Sequence, residues 1–84
     1  MTGYKHMLEI DGKIRTPYAG VYLETGKKYE SDKGYHFYLD KEFALGFAAT
    51  IPQMRVFECE VPYAEETYDN RDFKANEIIL IRQL

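Results

Sequence analysis

Asp40-Lys41-Glu42-Phe43-Ala44-Leu45-Gly46-Phe47-Ala48-Ala49-Thr50-Ile51-Pro52 is the one stretch of this chain with a clear helical period, and its isolation decides the fold class. Phe43, Phe47 and Ile51 recur four apart with Ala44 and Ala48 beside them, which predicts one apolar helix face of about three turns. Asp40 stands where a carboxylate can cap the first free amides, and Pro52 stops the helix. Gly46 in its interior costs about 1 kcal/mol relative to alanine unless close packing requires it.

On both sides of this segment the apolar period falls to two, the period of a strand. Just before it, Tyr35-His36-Phe37-Tyr38-Leu39 has high β propensity, with Tyr35, Phe37 and Leu39 on one face and His36 and Tyr38 on the other. Ser31-Asp32-Lys33-Gly34 reads as the loop that delivers this strand. Upstream, Val21–Glu24, Thr25-Gly26 and Lys27–Glu30 suggest a second hairpin or a strand with a glycine bulge. At the start of the chain, Tyr4–Ile10 and Lys13–Thr16 flank Asp11-Gly12, a dipeptide suited to a tight hairpin, and Pro17 ends the returning strand.

After the helix, Met54–Val61 alternates: Phe57, Cys59 and Val61 face one way, and Val56, Glu58 and Glu60 the other. That is a strand with one wet face. Pro62 stops it, and Tyr63–Asp72 reads as a long polar surface loop. In Ala75–Arg82 the unbroken run Ile78-Ile79-Leu80-Ile81 predicts burial on both faces, hence a central strand that can pair antiparallel with Met54–Val61. The expectation is a single α+β domain over residues 1–84, an antiparallel or mixed sheet of about five strands with one short helix packed on one face.

With 84 residues the core is thin, and eight Tyr and five Phe supply much of its area. One Cys and two His leave no intrachain disulfide and too few ligands for a structural zinc, so neither metal nor cofactor is expected. Eleven Lys and Arg against 14 Asp and Glu, a net charge of −3, argue against a dedicated nucleic-acid binder. Lys27-Lys28, the one adjacent basic pair, is an ordinary solvated turn feature. No apolar run approaches the roughly 18 residues of a membrane span. Together with the lone Cys this predicts a cytoplasmic protein without membrane contact. The thin aromatic core leaves room for a homodimer.

Three places could carry chemistry. His36 sits at a strand end before the helix, where imidazole can act as general base or hold a ligand, although a backbone-bonded sheet histidine is the more ordinary outcome. His6 has the same structural reading. Glu58 and Glu60 project to one face and could divide acid and base roles, or simply solvate a strand. Cys59 lies on the core face, which disfavours a nucleophile. The acidic loop lacks the spacing of a calcium loop, but Tyr63, Glu65, Glu66, Tyr68 and Asp69 interleave aromatics with acids in the manner of a protein-binding surface.

Tyr22-Leu23-Glu24-Thr25-Gly26-Lys27-Lys28-Tyr29, Gly34-Tyr35-His36-Phe37 and Asn76-Glu77-Ile78-Ile79-Leu80-Ile81-Arg82 together resemble a pattern in small phage and prophage proteins of uncharacterised function, from about Tyr22 onward. That resemblance implies a non-enzymatic module binding a host protein, for example as an inhibitor of a host or defence system. Gly34-Tyr35-His36-Phe37 with the following helix, and the Glu58-Cys59-Glu60 pair, are similar to elements of ADP-ribosyltransferases. The arginine and Ser-Thr-Ser elements of that superfamily are missing, so this second resemblance implies a minimal or degenerate nucleotide-binding relative.

Overall fold

The structure, a computed structural model, describes residues 1–67 and 71–84. Along these residues run β1 (Thr2–Ile10), β2 (Lys13–Arg15), β3 (Lys28–Tyr38), α1 (Lys41–Ala48), β4 (Met54–Glu60), β5 (Glu65–Glu66) and β6 (Asp72–Gln83). All strand pairings are antiparallel, and the helix packs on the sheet, an α+β fold.

Asp11 and Gly12 both take positive φ, 53° and 78°, in the two-residue turn between β1 and β2. That is the conformation a right-twisted hairpin needs. Beyond the hairpin, β1 runs along β4 from Thr2–Glu60 to Leu8–Met54, β4 pairs with β6, and β6 with β3. The last link, β3 to β1, is the single pair Tyr4–Tyr38. The four strands therefore close into a ring, which covers the open edges a flat sheet would leave. Inside lie Met7, Phe37, Phe57, Cys59, Ile78 and Leu80, all at most 3% exposed.

Several local expectations are corrected. Ser31–Gly34 is not a loop: β3 runs through it, advancing five residues from Glu30 to Tyr35 while β6 advances two from Glu77 to Ala75. The polar residues occupy a bulge, and Gly34 (φ 82°) lies so close to Lys74 that a Cβ would meet its Cγ at 2.6 Å. The helix spans eight residues and about two turns, with Asp40 accepting from the Phe43 amide at 3.0 Å. Its buried side chains are Ala44 and Ala48, packed on Val56, whereas Phe47 is 43% exposed. Small residues let the helix axis approach the sheet, and the phenylalanines are displaced to its flank. Ile81 is 46% exposed, so the isoleucine-rich run is not buried on both faces, although β6 is central, flanked by β3, β4 and β5. The polar stretch after Pro62 contains a short strand, β5, pairing Glu65 with Lys74 and Glu66 with Phe73.

Candidate functional site

The β3–β6 register decides where His36 lies. It stands opposite Lys74, which stands opposite Glu65 on β5, so the three side chains form one cross-strand row. His36 Nδ1–H donates to both Asp72 carboxylate oxygens, at 3.1 and 3.2 Å. His36 and the acidic stretch, separate places in the sequence, thus adjoin on one outer face beside α1. Glu65 and Glu66 are exposed there. Tyr63 is only partly available: its hydroxyl accepts from the Asn76 amide at 3.2 Å and covers the β6 backbone. Tyr68 and Asp69 lie outside the described residues.

Glu58 and Glu60 do not join this row. Glu58 meets Arg82 at 3.3 Å, and Glu60 meets the Met1 ammonium at 2.9 Å. Each of the three sequence candidates for acid–base work has a different partner. Among the described residues no three His, Cys, Asp or Glu side chains form a metal-binding group. Cys59 is fully buried, and that burial pushes its thiol up to about 12, so it stays protonated at neutral pH. His6 takes the structural part. Its Nε2–H donates to the Ala44 carbonyl at 2.8 Å, its ring stacks on Phe47, and burial lowers its pKa.

Sequence reasoning missed two features. Lys5, on the ring-facing side of β1, is 5% exposed and donates to the His36 carbonyl at 2.7 Å. Burial lowers its pKa to about 8, partly offset by Cys59 and Asp72. Alternation placed Lys5 beside Met7, but nothing in the sequence marked that face as interior.

The second missed feature is the loop after β2. Thr16 is buried and holds it from three directions: Thr16 N–H donates to Val21 O, Gly20 N–H to Thr16 O, and Val21 N–H to the Thr16 hydroxyl, at 2.9, 3.1 and 3.0 Å. Arg15 pairs with Tyr22 to close it. So pinned, the loop exposes Tyr18 completely and Val21 and Tyr22 by about half (45% and 57%). Lys13 lies over the Tyr22 ring, 5.9 Å from its centroid. Beside it opens a cleft of about 820 Å³, floored by Leu23 and Phe57 and walled by Ile14, Tyr22 and Tyr29. The signal in the sequence is Pro17-Tyr18-Ala19-Gly20, turn residues around an aromatic, in which Pro17 also acts as a strand terminator.

No family model, curated protein or solved structure matches this chain.

Proposed function

We propose that this chain is a non-enzymatic binding module, phage- or prophage-encoded, that engages a host protein through the Thr16–Tyr22 loop and the adjoining cleft. The observation that carries the reading is the full exposure of Tyr18, with Val21 and Tyr22, on a loop held by three hydrogen bonds to Thr16. Exposed aromatics on a fixed backbone offer contact area at little ordering cost, the property that makes tyrosine a frequent interface anchor. The row His36–Lys74–Glu65 is a second polar surface, but its groups are already engaged or solvated, and its neighbouring aromatic, Tyr63, is 41% exposed with its hydroxyl held by the Asn76 amide.

The test is chemical cross-linking in lysates of candidate hosts, comparing the intact chain with Tyr18→Ala and Tyr22→Ala. A stoichiometric host protein cross-linked to the intact chain and lost with both variants supports the reading. The same partner retained equally by both variants would remove the loop from the interface.

A second reading, a shortened ADP-ribosyltransferase-like domain holding a nucleotide, draws on the cleft, whose Tyr22, Tyr29 and Lys13 could take a base and a phosphate. Native-state binding must raise the melting temperature by mass action. An unchanged melting temperature at millimolar NAD ends that reading.

A further inference from the structure

Residues 21–24 and the start of β3 are the two arms of a hairpin that does not close. Thr25-Gly26 turns the chain between them, and Gly26 N–H ties the turn to β6 through Leu80 O at 2.8 Å. Arms so close in sequence ordinarily pair with each other. Here Tyr22 stands opposite Arg15 of β2 instead, between the bonds Thr16 N–H to Val21 O and Leu23 N–H to Ile14 O, at 2.9 and 3.2 Å. A residue bracketed in this way in an antiparallel pair turns its own N–H and C=O to the opposite edge. Those of Tyr22 therefore face away from β2, and no group among the described residues bonds them. Two residues on, Glu24 N–H points to the same side and ends on a side chain, the Tyr29 hydroxyl, at 2.9 Å.

The facing edge, on β3, is open too. Lys28, Tyr29 and Glu30 pair with β6 on one side, and on the other side the backbone pairing of β3 is Tyr38 with Tyr4. Alternate residues among these three thus turn N–H and C=O into the gap, with no strand to meet them. The cleft of about 820 Å³ lies there, Tyr22 and Glu24 on one wall, Tyr29 on the other, Leu23 and Phe57 at its floor.

We infer that the gap takes one extended segment of the partner protein, inserted as a strand between residues 22–24 and 28–30, with apolar side chains at alternate positions turned onto Leu23 and Phe57. The inference rests on the binding reading above and specifies the partner's conformation and side-chain pattern. Extended backbone offers N–H and C=O to both edges at the spacing of a sheet, and its period of two sets every second side chain on the apolar floor. The rim selects little by charge, since Lys13 already lies over Tyr22 and Lys27 already pairs with Glu24. One arm is tied to β2 and the turn to β6, so the gap is held open before contact at little ordering cost. The bulge between Glu30 and Tyr35 ends the regular edge of β3, which keeps the inserted strand short. β5 (Glu65–Glu66) pairs with β6 alone, so its free edge in a second copy is the competing strand.

The experiment selects random dodecapeptides displayed on phage against the purified full chain, then follows amide hydrogen exchange of the chain with and without an enriched peptide. Enriched sequences should alternate aliphatic or aromatic residues with polar ones and share no common charge. Exchange at Tyr22 N–H and Glu24 N–H should slow about tenfold or more when the peptide is bound. Methylating single backbone nitrogens of the peptide removes strand donors, and at central positions should cost about tenfold or more in affinity by fluorescence anisotropy. Tyr29→Phe keeps the cleft wall and releases Glu24 N–H from its side-chain acceptor, so affinity should rise severalfold. Peptides that depend on Tyr18 by Tyr18→Ala, yet tolerate methylation at every position and leave Tyr22 exchange unchanged, would overturn strand insertion and leave the Tyr18 loop as the binding surface. No enrichment would also overturn the insertion, while cross-linking to a host protein decides the binding reading separately. A free chain that sediments as a dimer with Tyr22 N–H already protected would reassign the gap to a second copy.

Discussion

The Lys5 ammonium reaches across the seam of the ring to the His36 carbonyl, 2.7 Å away, where β1 and β3 share only the Tyr4–Tyr38 pair. A side chain thus completes a junction that backbone pairing leaves nearly open. The arrangement places a cation in a poorly solvated interior, and burial lowers its pKa from 10.5 to about 8.

The lowered pKa has a defined consequence for stability. Between about pH 8 and the unfolded-state value near 10.4, the unfolded chain holds a proton on Lys5 that the native chain has released. The Lys5 contribution therefore rises with pH across that window and is flat below it. Cys59, with its pKa raised by burial, acts in the opposite sense above about pH 9, so the comparison must be with a variant. Urea unfolding of wild type and Lys5→Met at pH 6.5, 7.5, 8.5 and 9.5 should show wild type gaining on the variant above pH 8, by about 2 kcal/mol at pH 9.5. Parallel stability curves would mean that the ammonium is solvated.

Gly3 is required by close packing rather than by its backbone angles. A Cβ there would lie 2.6 Å from Cδ2 of Phe37, itself fully buried, and 3.4 Å from Cys59 Sγ. The ring cannot swing away without opening the core, so Gly3→Ala should cost about 1–3 kcal/mol in denaturant unfolding. A cost below about 0.5 kcal/mol would show that the β1–β4 end of the ring yields easily.

His6 is the polar tie between helix and sheet, donating at 2.8 Å to Ala44 O, stacking on Phe47 and meeting Tyr38 at a tilt. Its pKa is lowered chiefly by burial, so the native ring favours the neutral form. Linkage then gives stability that is lost as pH falls through the unfolded value near 6.5, because the unfolded chain takes up a proton the native one resists. His6→Phe keeps the stacking and removes this dependence. Wild type should weaken relative to His6→Phe between about pH 7 and 5, as followed by far-ultraviolet circular dichroism during thermal unfolding. An unchanged difference would indicate that the protonated ring is accommodated.

The features legible in the sequence were those governed by neighbours in the chain. Asp11-Gly12 marks the hairpin and Asp40 the helix start because turn and cap chemistry is local, and Cys59 faces inward because alternation fixes its side. Ser31–Gly34 carries loop residues for a different local reason: a bulge needs a glycine at positive φ and polar residues toward solvent. Long-range facts were hidden. Ring closure depends on β1 meeting β4 across some fifty residues of sequence, and only that closure makes the Lys5 face interior. The juxtaposition of His36 with Asp72 and Glu65 depends on the β3–β6 register, which the bulge resets. The helix and its apolar side are legible from periodicity, which does not show that alanine rather than phenylalanine makes the close approach.

Thr16 is where the fold and the proposed binding loop meet. Its hydroxyl accepts from Val21 N–H, while its backbone bonds Val21 O and Gly20 N–H, so one buried residue fixes the segment that displays Tyr18 and Tyr22. Thr16→Val keeps the shape, removes the hydroxyl and leaves the Val21 amide without that acceptor. Global stability should fall by about 1–2 kcal/mol. Hydrogen exchange should speed up more at Val21 than at Met7 or Ile78 in the core, because the loss is local before it is global. Affinity for the host protein captured by the wild-type chain should weaken severalfold even though Thr16 is buried, since the aromatics would no longer be held in place before contact. If exchange at Val21 accelerates and affinity does not change, the loop's rigidity has no part in recognition, and the exposed rings bind by adapting.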